Sequence, residues 1–169
     1  MSEQMIARRI ALADPLILTS VWLAVTVGSV AAAWLSVTDL QPPIKVFGDA
    51  LLILLICAIC SWSWAVYALS AKARPNHVGQ SLVQGIYLAP PLIAAIAVMA
   101  GWPTDNSPAG FCIMATLVAG FWWAALALEK ATSGGVPVGI RRTLATMFLM
   151  YFSMIGVWVL RSKIKMVAT

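Results

Sequence analysis

The chain has 169 residues, of which 62% are hydrophobic and only 10% charged, whereas soluble domains average about 25% charged. So little polar surface cannot cover a soluble core. Lipid is therefore the expected solvent, and the net charge of +5 marks a cytoplasmic membrane rim rather than a nucleic-acid surface. Three cysteines, two of them in one apolar run, do not form a disulfide framework of the secreted kind.

The N-terminal stretch MSEQMIARRIALADP places two arginines ahead of an apolar run. A signal peptide has an apolar core of roughly 7–15 residues; this run continues from Pro15 to Leu35, long enough to span, and reads as a retained helix. Asp14 can cap its orphan N–H groups, and Pro15 suits a first helical turn. This first span, residues 15–35, carries Gly28 and Ala32 at a spacing that lets another helix approach closely, although small residues are also common in such helices without that role. Residues 36–45 form a loop with Asp39 and the pair Pro42-Pro43.

The second span, residues 46–69, is VFGDALLILLICAICSWSWAVYAL, with Asp49 near its start, Cys57 and Cys60 in its middle, and Trp62 and Trp64 near its end. About 20 apolar residues suffice for a transmembrane helix, and a helix apolar on every side suits lipid. A polar loop follows with Lys72, Arg74 and the chain's one histidine, His77. The third span, residues 81–100, has Pro90-Pro91 at its centre. Prolines there remove backbone donors and kink a helix, so neighbours or water must satisfy the freed carbonyls. The loop 101–110 holds no basic residue. The fourth span, residues 111–128, runs into Glu129-Lys130, with Glu129 expected to be solvated at the span's end. A loop with Gly134-Gly135 and Pro137 leads to Arg141 and Arg142, the fifth span at residues 143–160, and the tail RSKIKMVAT.

The predicted fold is thus all-α: a polytopic integral membrane protein with five transmembrane helices in a single transmembrane domain. The N-terminus, second loop and fourth loop hold seven basic residues, against four in the first loop and the tail. That excess places the N-terminus in the cytoplasm and the C-terminus outside, in a bacterial-type inner membrane. The basic tail argues the other way. If it is cytoplasmic, one span does not cross, and Pro90-Pro91 single out the third: a re-entrant segment there gives four crossings. All eight tryptophans can be assigned to the two interfacial girdles. Trp64-Ala-Val-Tyr-Ala-Leu69 also lines up with Trp123-Ala-Ala-Leu-Ala-Leu128, which would make spans two and three and spans four and five a duplicated hairpin. The match is short, and the fifth span lacks any counterpart of Pro90-Pro91.

Few residues can carry chemistry. Cys57 and Cys60 share a helix face and could hold a soft metal, but the same residues serve as small hydrophobes. Met147, Met150 and Met154 would form a thioether stripe on a continuous fifth helix, open to Cu(I) or to simple packing. Asp49 sits one turn into its span, with Lys45 four residues earlier as its natural ion-pair partner. Gln84 and Tyr87 share the face before Pro90 and Pro91, fit to line a cavity or to bond across helices. A single histidine excludes bis-histidine haem within one chain, and no metalloprotease, nucleophile-elbow or phosphate-loop motif is present. No cofactor and no enzymatic activity are expected. The function expected is that of a small membrane subunit or accessory protein, whose partners are the lipid bilayer and other membrane subunits or copies of itself. A small transporter or channel along the third span is the alternative, and a thiol- or copper-handling protein the weaker one.

Overall fold

A computed structural model describes residues 3–37, 42–73, 80–102, 107–134 and 136–168, and among these the secondary structure is entirely helical. The helices are α1 (Glu3–Ala11), α2 (Pro15–Val37), α3 (Pro42–Ala73), α4 (Gln80–Met99), α5 (Pro108–Thr132), α6 (Ile140–Tyr151) and α7 (Ser153–Ala168). By length and composition α3, α4 and α5 can each cross a membrane, and α1 with α2, bent by 75° between them, makes up to a fourth span. Among the described residues three helices, or four with that bent pair, meet this criterion, rather than the five expected.

The helix starts follow from local chemistry. Asp14 Oδ1 accepts from the N–H of Leu16 at 2.9 Å, so the sequence's Asp-Pro signal does cap α2. Ser107 caps α5 by accepting from Gly110 N at 3.2 Å, with Pro108 in the first turn. α3 begins at Pro42, inside what the sequence suggests is loop, and α5 runs on through Glu129 and Lys130. α1 has no apolar run to announce it. A nine-residue helix is marginal alone; this one buries Ala7 and Ala11, one turn apart, in the core it shares with α3.

α2 and α3 pack antiparallel, and their contact includes Gly28, where an added Cβ would lie 2.9 Å from Leu51 Cδ1. Deeper in the same interface Trp22 and Trp62 meet edge to face, with ring centroids 5.8 Å apart. Both are buried to 1% exposure. They are core residues rather than girdle anchors: two large rings with complementary edge and face gain more from each other and from dense packing than from an interface. Trp102 and Trp158 remain exposed.

α4 stays helical through Pro90 and Pro91. The re-entrant third span considered above is therefore not observed. The helix lies between α3 and α5 with Val83, Tyr87, Pro90, Ala94 and Ala97 buried, and this packing offsets the missing backbone donors.

The interruption comes instead at the predicted fifth span. In place of one helix over residues 143–160 there are two, parted at Phe152, whose φ of −83° and ψ of 57° leave the helical region. The chain reverses there. Residues 142 and 163 would stand about 31 Å apart along one straight helix, yet Arg142 and Lys163 both reach the carboxylate of Glu129. Gly156 of α7 lies directly on the backbone of Leu149 of α6. α6 descends beside α5, and α7 returns along α2, α3 and α5. The reversal also leaves the suggested duplicated hairpin unequal, since the twelve-residue α6 stands where the twenty-residue α4 stands in the first pair. It splits the thioether stripe as well: Met147 and Met150 lie on α6 and Met154 on α7.

Candidate functional site

Among the described residues, two places gather polar chemistry. The first lies between α3 and α4. Seen from α3, residues 57, 60, 61 and 64 fall on one face; seen from α4, residues 84, 87, 88 and 91 do the same. Where the two faces meet they enclose a cavity of about 380 Å³ lined by Cys57, Cys60, Ser61, Trp64, Gln84, Tyr87, Leu88 and Pro91. The thiol pair and the Gln84/Tyr87/Pro91 group, separate in sequence, are thus one site. Cys57, Ser61 and Leu88 are exposed at its rim, whereas Cys60 and Tyr87 are buried.

Tyr87 is fixed by a hydrogen bond from its hydroxyl to the carbonyl oxygen of Gly120 on α5, 2.8 Å long. Gly120 allows this approach, because a Cβ there would come within 3.1 Å of the Tyr87 ring. The Tyr87 ring also lies 6.0 Å from that of Tyr67. Tyr87→Phe is expected to cost about 1 kcal/mol, the net worth of one buried neutral hydrogen bond, read as a lowered thermal midpoint in mild detergent. Pro90 faces away from the cavity, towards Gly120 and Phe121.

The second place is built on Glu129, at the end of α5. Expected to be solvated, it is instead fully buried, with its side chain at 0% exposure. α6 brings Thr146, whose hydroxyl donates to Oε1 at 2.5 Å. α7 brings Lys163, whose ammonium donates to the same oxygen. Arg142 Nε stands 2.7 Å from Oε2, close enough for strong Coulombic attraction although its N–H does not aim along a hydrogen bond. One carboxylate therefore holds three helices, and a buried charge in this setting persists because it is paired and hydrogen-bonded. The signal in the sequence was the charge itself, an acid closing an apolar run in a chain with six acidic residues. Its partners were not legible: Arg142 and Thr146 come beside it only once α6 packs back along α5, and Lys163 only after the chain reverses at Phe152.

The remaining candidates lie apart. Asp49 is half-buried on α3, near the opposite end of that helix from Trp64. Met150 is buried in the main core with Phe121, Leu128 and Leu160, on a different wall from Cys57 and Cys60. Among the described residues no group of three or more His, Cys, Asp or Glu side chains converges as a metal site would require. The side chains of Ala32, Lys45 and Met154, Trp34 and the residue His77 lie outside the described residues, and with them the expected Lys45–Asp49 pair. Comparison with family models, with curated proteins and with solved structures finds no match.

Proposed function

We propose that this protein is a small accessory protein or subunit of a larger assembly in a bacterial-type inner membrane, without enzymatic activity of its own, and that it crosses the bilayer four times with α1 and the end of α7 both cytoplasmic. The topology is supported by charge. With α7 folded back, every one of the eleven basic residues except Lys45 falls, by its place in the chain, at a single end of the bundle, the distribution expected of a cytoplasmic face.

The subunit reading is carried by one observation, the height of the α6–α7 hairpin. Twelve residues of α6 rise about 18 Å, against a hydrocarbon core of about 30 Å. At the hairpin tip Tyr151 meets Phe121 of α5, edge to face with centroids 6.2 Å apart. Beyond it the same face of α5 continues as Val118, Met114 and Phe111, all exposed. Among the described residues no helix of this chain covers that face, and a helix of a second subunit or of a second copy completes the wall.

A photo-crosslinking residue in place of Met114 is expected to give a discrete protein adduct in native membranes, and the same residue in place of Val27, exposed on α2, is expected to give none. The protein purified in mild detergent should carry a companion at fixed stoichiometry or run as a defined oligomer. A monodisperse monomer with no adduct at residue 114 would refute the subunit reading. The cavity beside α4 favours transport or channel activity as a second reading; flux in liposomes that falls on Gln84→Leu would select it.

A further inference from the structure

We propose that the α3–α4 cavity is a binding site for an uncharged, membrane-dissolved amphiphile whose head is a planar ring bearing acceptor oxygens, the chemistry of a quinone. Four features of the cavity converge on that class.

The first is access. The rim residues Cys57, Ser61 and Leu88 are exposed and lie within helices that have the length and composition of membrane spans. A ligand therefore enters sideways from hydrocarbon. The second is charge. None of the eight lining side chains is ionic, and an unpaired ion would not be stable at that depth. The head group is neutral.

The third is shape. A volume of about 380 Å³ falls in the range of small-molecule sites, roughly 300–1,000 Å³. It accommodates a ring and the start of a tail that continues through the opening into lipid. Trp64 and Tyr87 supply aromatic walls, and flat rings pack on such walls in offset or edge-on geometry. The fourth is the hydrogen-bond inventory. Ser63 and Ser70 on the same helix donate their hydroxyls to carbonyls one turn back, those of Ile59 and Val66, and the Tyr87 hydroxyl is taken by Gly120. Ser61 makes no such bond among the described residues, so its O–H is available at the rim. With the thiol of Cys57 beside it, the cavity offers donors, which suit carbonyl oxygens on the ligand.

The test uses the protein's own cysteines. Cys57 lines the cavity, and Cys112, exposed on α5, does not. The full chain in a Cys60→Ser background, which leaves no thiol pair to oxidise, is purified in mild detergent. It is then treated with N-ethylmaleimide with and without a fully substituted benzoquinone carrying a decyl tail, which cannot add thiols. At about ten times its dissociation constant the quinone should slow Cys57 modification about tenfold, leave Cys112 unchanged, and be matched by no effect from decyl alcohol. Leu88→Trp, at the exposed rim, should abolish the protection by filling the cavity. Ser61→Ala should weaken the apparent affinity about fivefold, the worth of one hydrogen bond. Equal slowing at both cysteines, equal protection by decyl alcohol, or protection undiminished in Leu88→Trp would each overturn the proposal.

Discussion

Glu129→Gln is expected to destabilise the protein by about 3 kcal/mol, among the largest losses from any conservative substitution in the chain. The amide keeps the size of the side chain and one oxygen for Thr146 and Lys163, but it withdraws the one negative charge that, among the described residues, pairs with Arg142 and Lys163. Removing one partner of a fully buried ion pair costs about 3–5 kcal/mol, because the other charge is stranded. Here the stranded cations still reach water, with Arg142 57% and Lys163 31% exposed, so the lower end of that range applies. For a chain of this length the loss lowers the thermal midpoint by about 6–12 °C.

The same geometry ranks the partners. Lys163→Met leaves Glu129 with Arg142 and Thr146 and should cost about 1–2 kcal/mol. Arg142→Gln, at the most exposed cation, should cost less than about 1 kcal/mol. A thermal series in mild detergent checks the order. Equal losses for the three variants would mean that Glu129 does not organise the cluster.

Gly156→Ala is the second large effect, and its cause is steric. A Cβ at residue 156 would collide with the carbonyl oxygen of Leu149 and stand 2.7 Å from its carbon. Neither atom belongs to a side chain that can rotate away. The α6–α7 angle itself must open, which carries Lys163 off Glu129. Overpacking usually costs about 1–3 kcal/mol, occasionally more, and a backbone collision belongs at or above the upper figure. Gly28→Ala provides the control. Its new methyl would meet only Leu51 Cδ1, at 2.9 Å, the movable tip of a side chain, and alanine gains about 1 kcal/mol of helix propensity over glycine. That variant should stay within about 1 kcal/mol of the parent. Because Gly156 and Glu129 secure one hairpin, the double variant should lose less than the sum of its parts. Strict additivity would show that the two act on separate structures.

The contrast between what the sequence reveals and what it hides has a physical basis. Apolar runs announce α2 through α5, since lipid compatibility is a property of composition along one segment. The caps at Asp14 and Ser107 are equally local. The reversal at Phe152 is not. The stretch MFLMYFSMIGVW stays apolar across the break, so hydropathy reads one helix where the chain makes two. The mark it leaves is Gly156, which only a neighbouring backbone explains. Pro90 and Pro91 mislead in the opposite direction, since packing between α3 and α5 keeps α4 helical around them. Trp22 and Trp62 follow the same logic: interface preference is a statistical tendency, and a complementary ring pair in a dense core overrides it. For the cavity, each wall was visible as a set of residues on one helix face. Their union required knowing that α3 and α4 pack along those faces.

The fold-back of α7 is the claim on which the topology, the Glu129 cluster and the subunit reading all depend. It is tested most directly by placing single cysteines at Met5 and at Met166, both exposed, in a chain whose native cysteines are replaced by serine. Each is then labelled with a membrane-impermeant maleimide in intact spheroplasts and in inverted membrane vesicles. Labelling of both positions in inverted vesicles and of neither in spheroplasts is the predicted result. Labelling of residue 166 from the side opposite to residue 5 would contradict it, because α6 and α7 would then cross the membrane as one span.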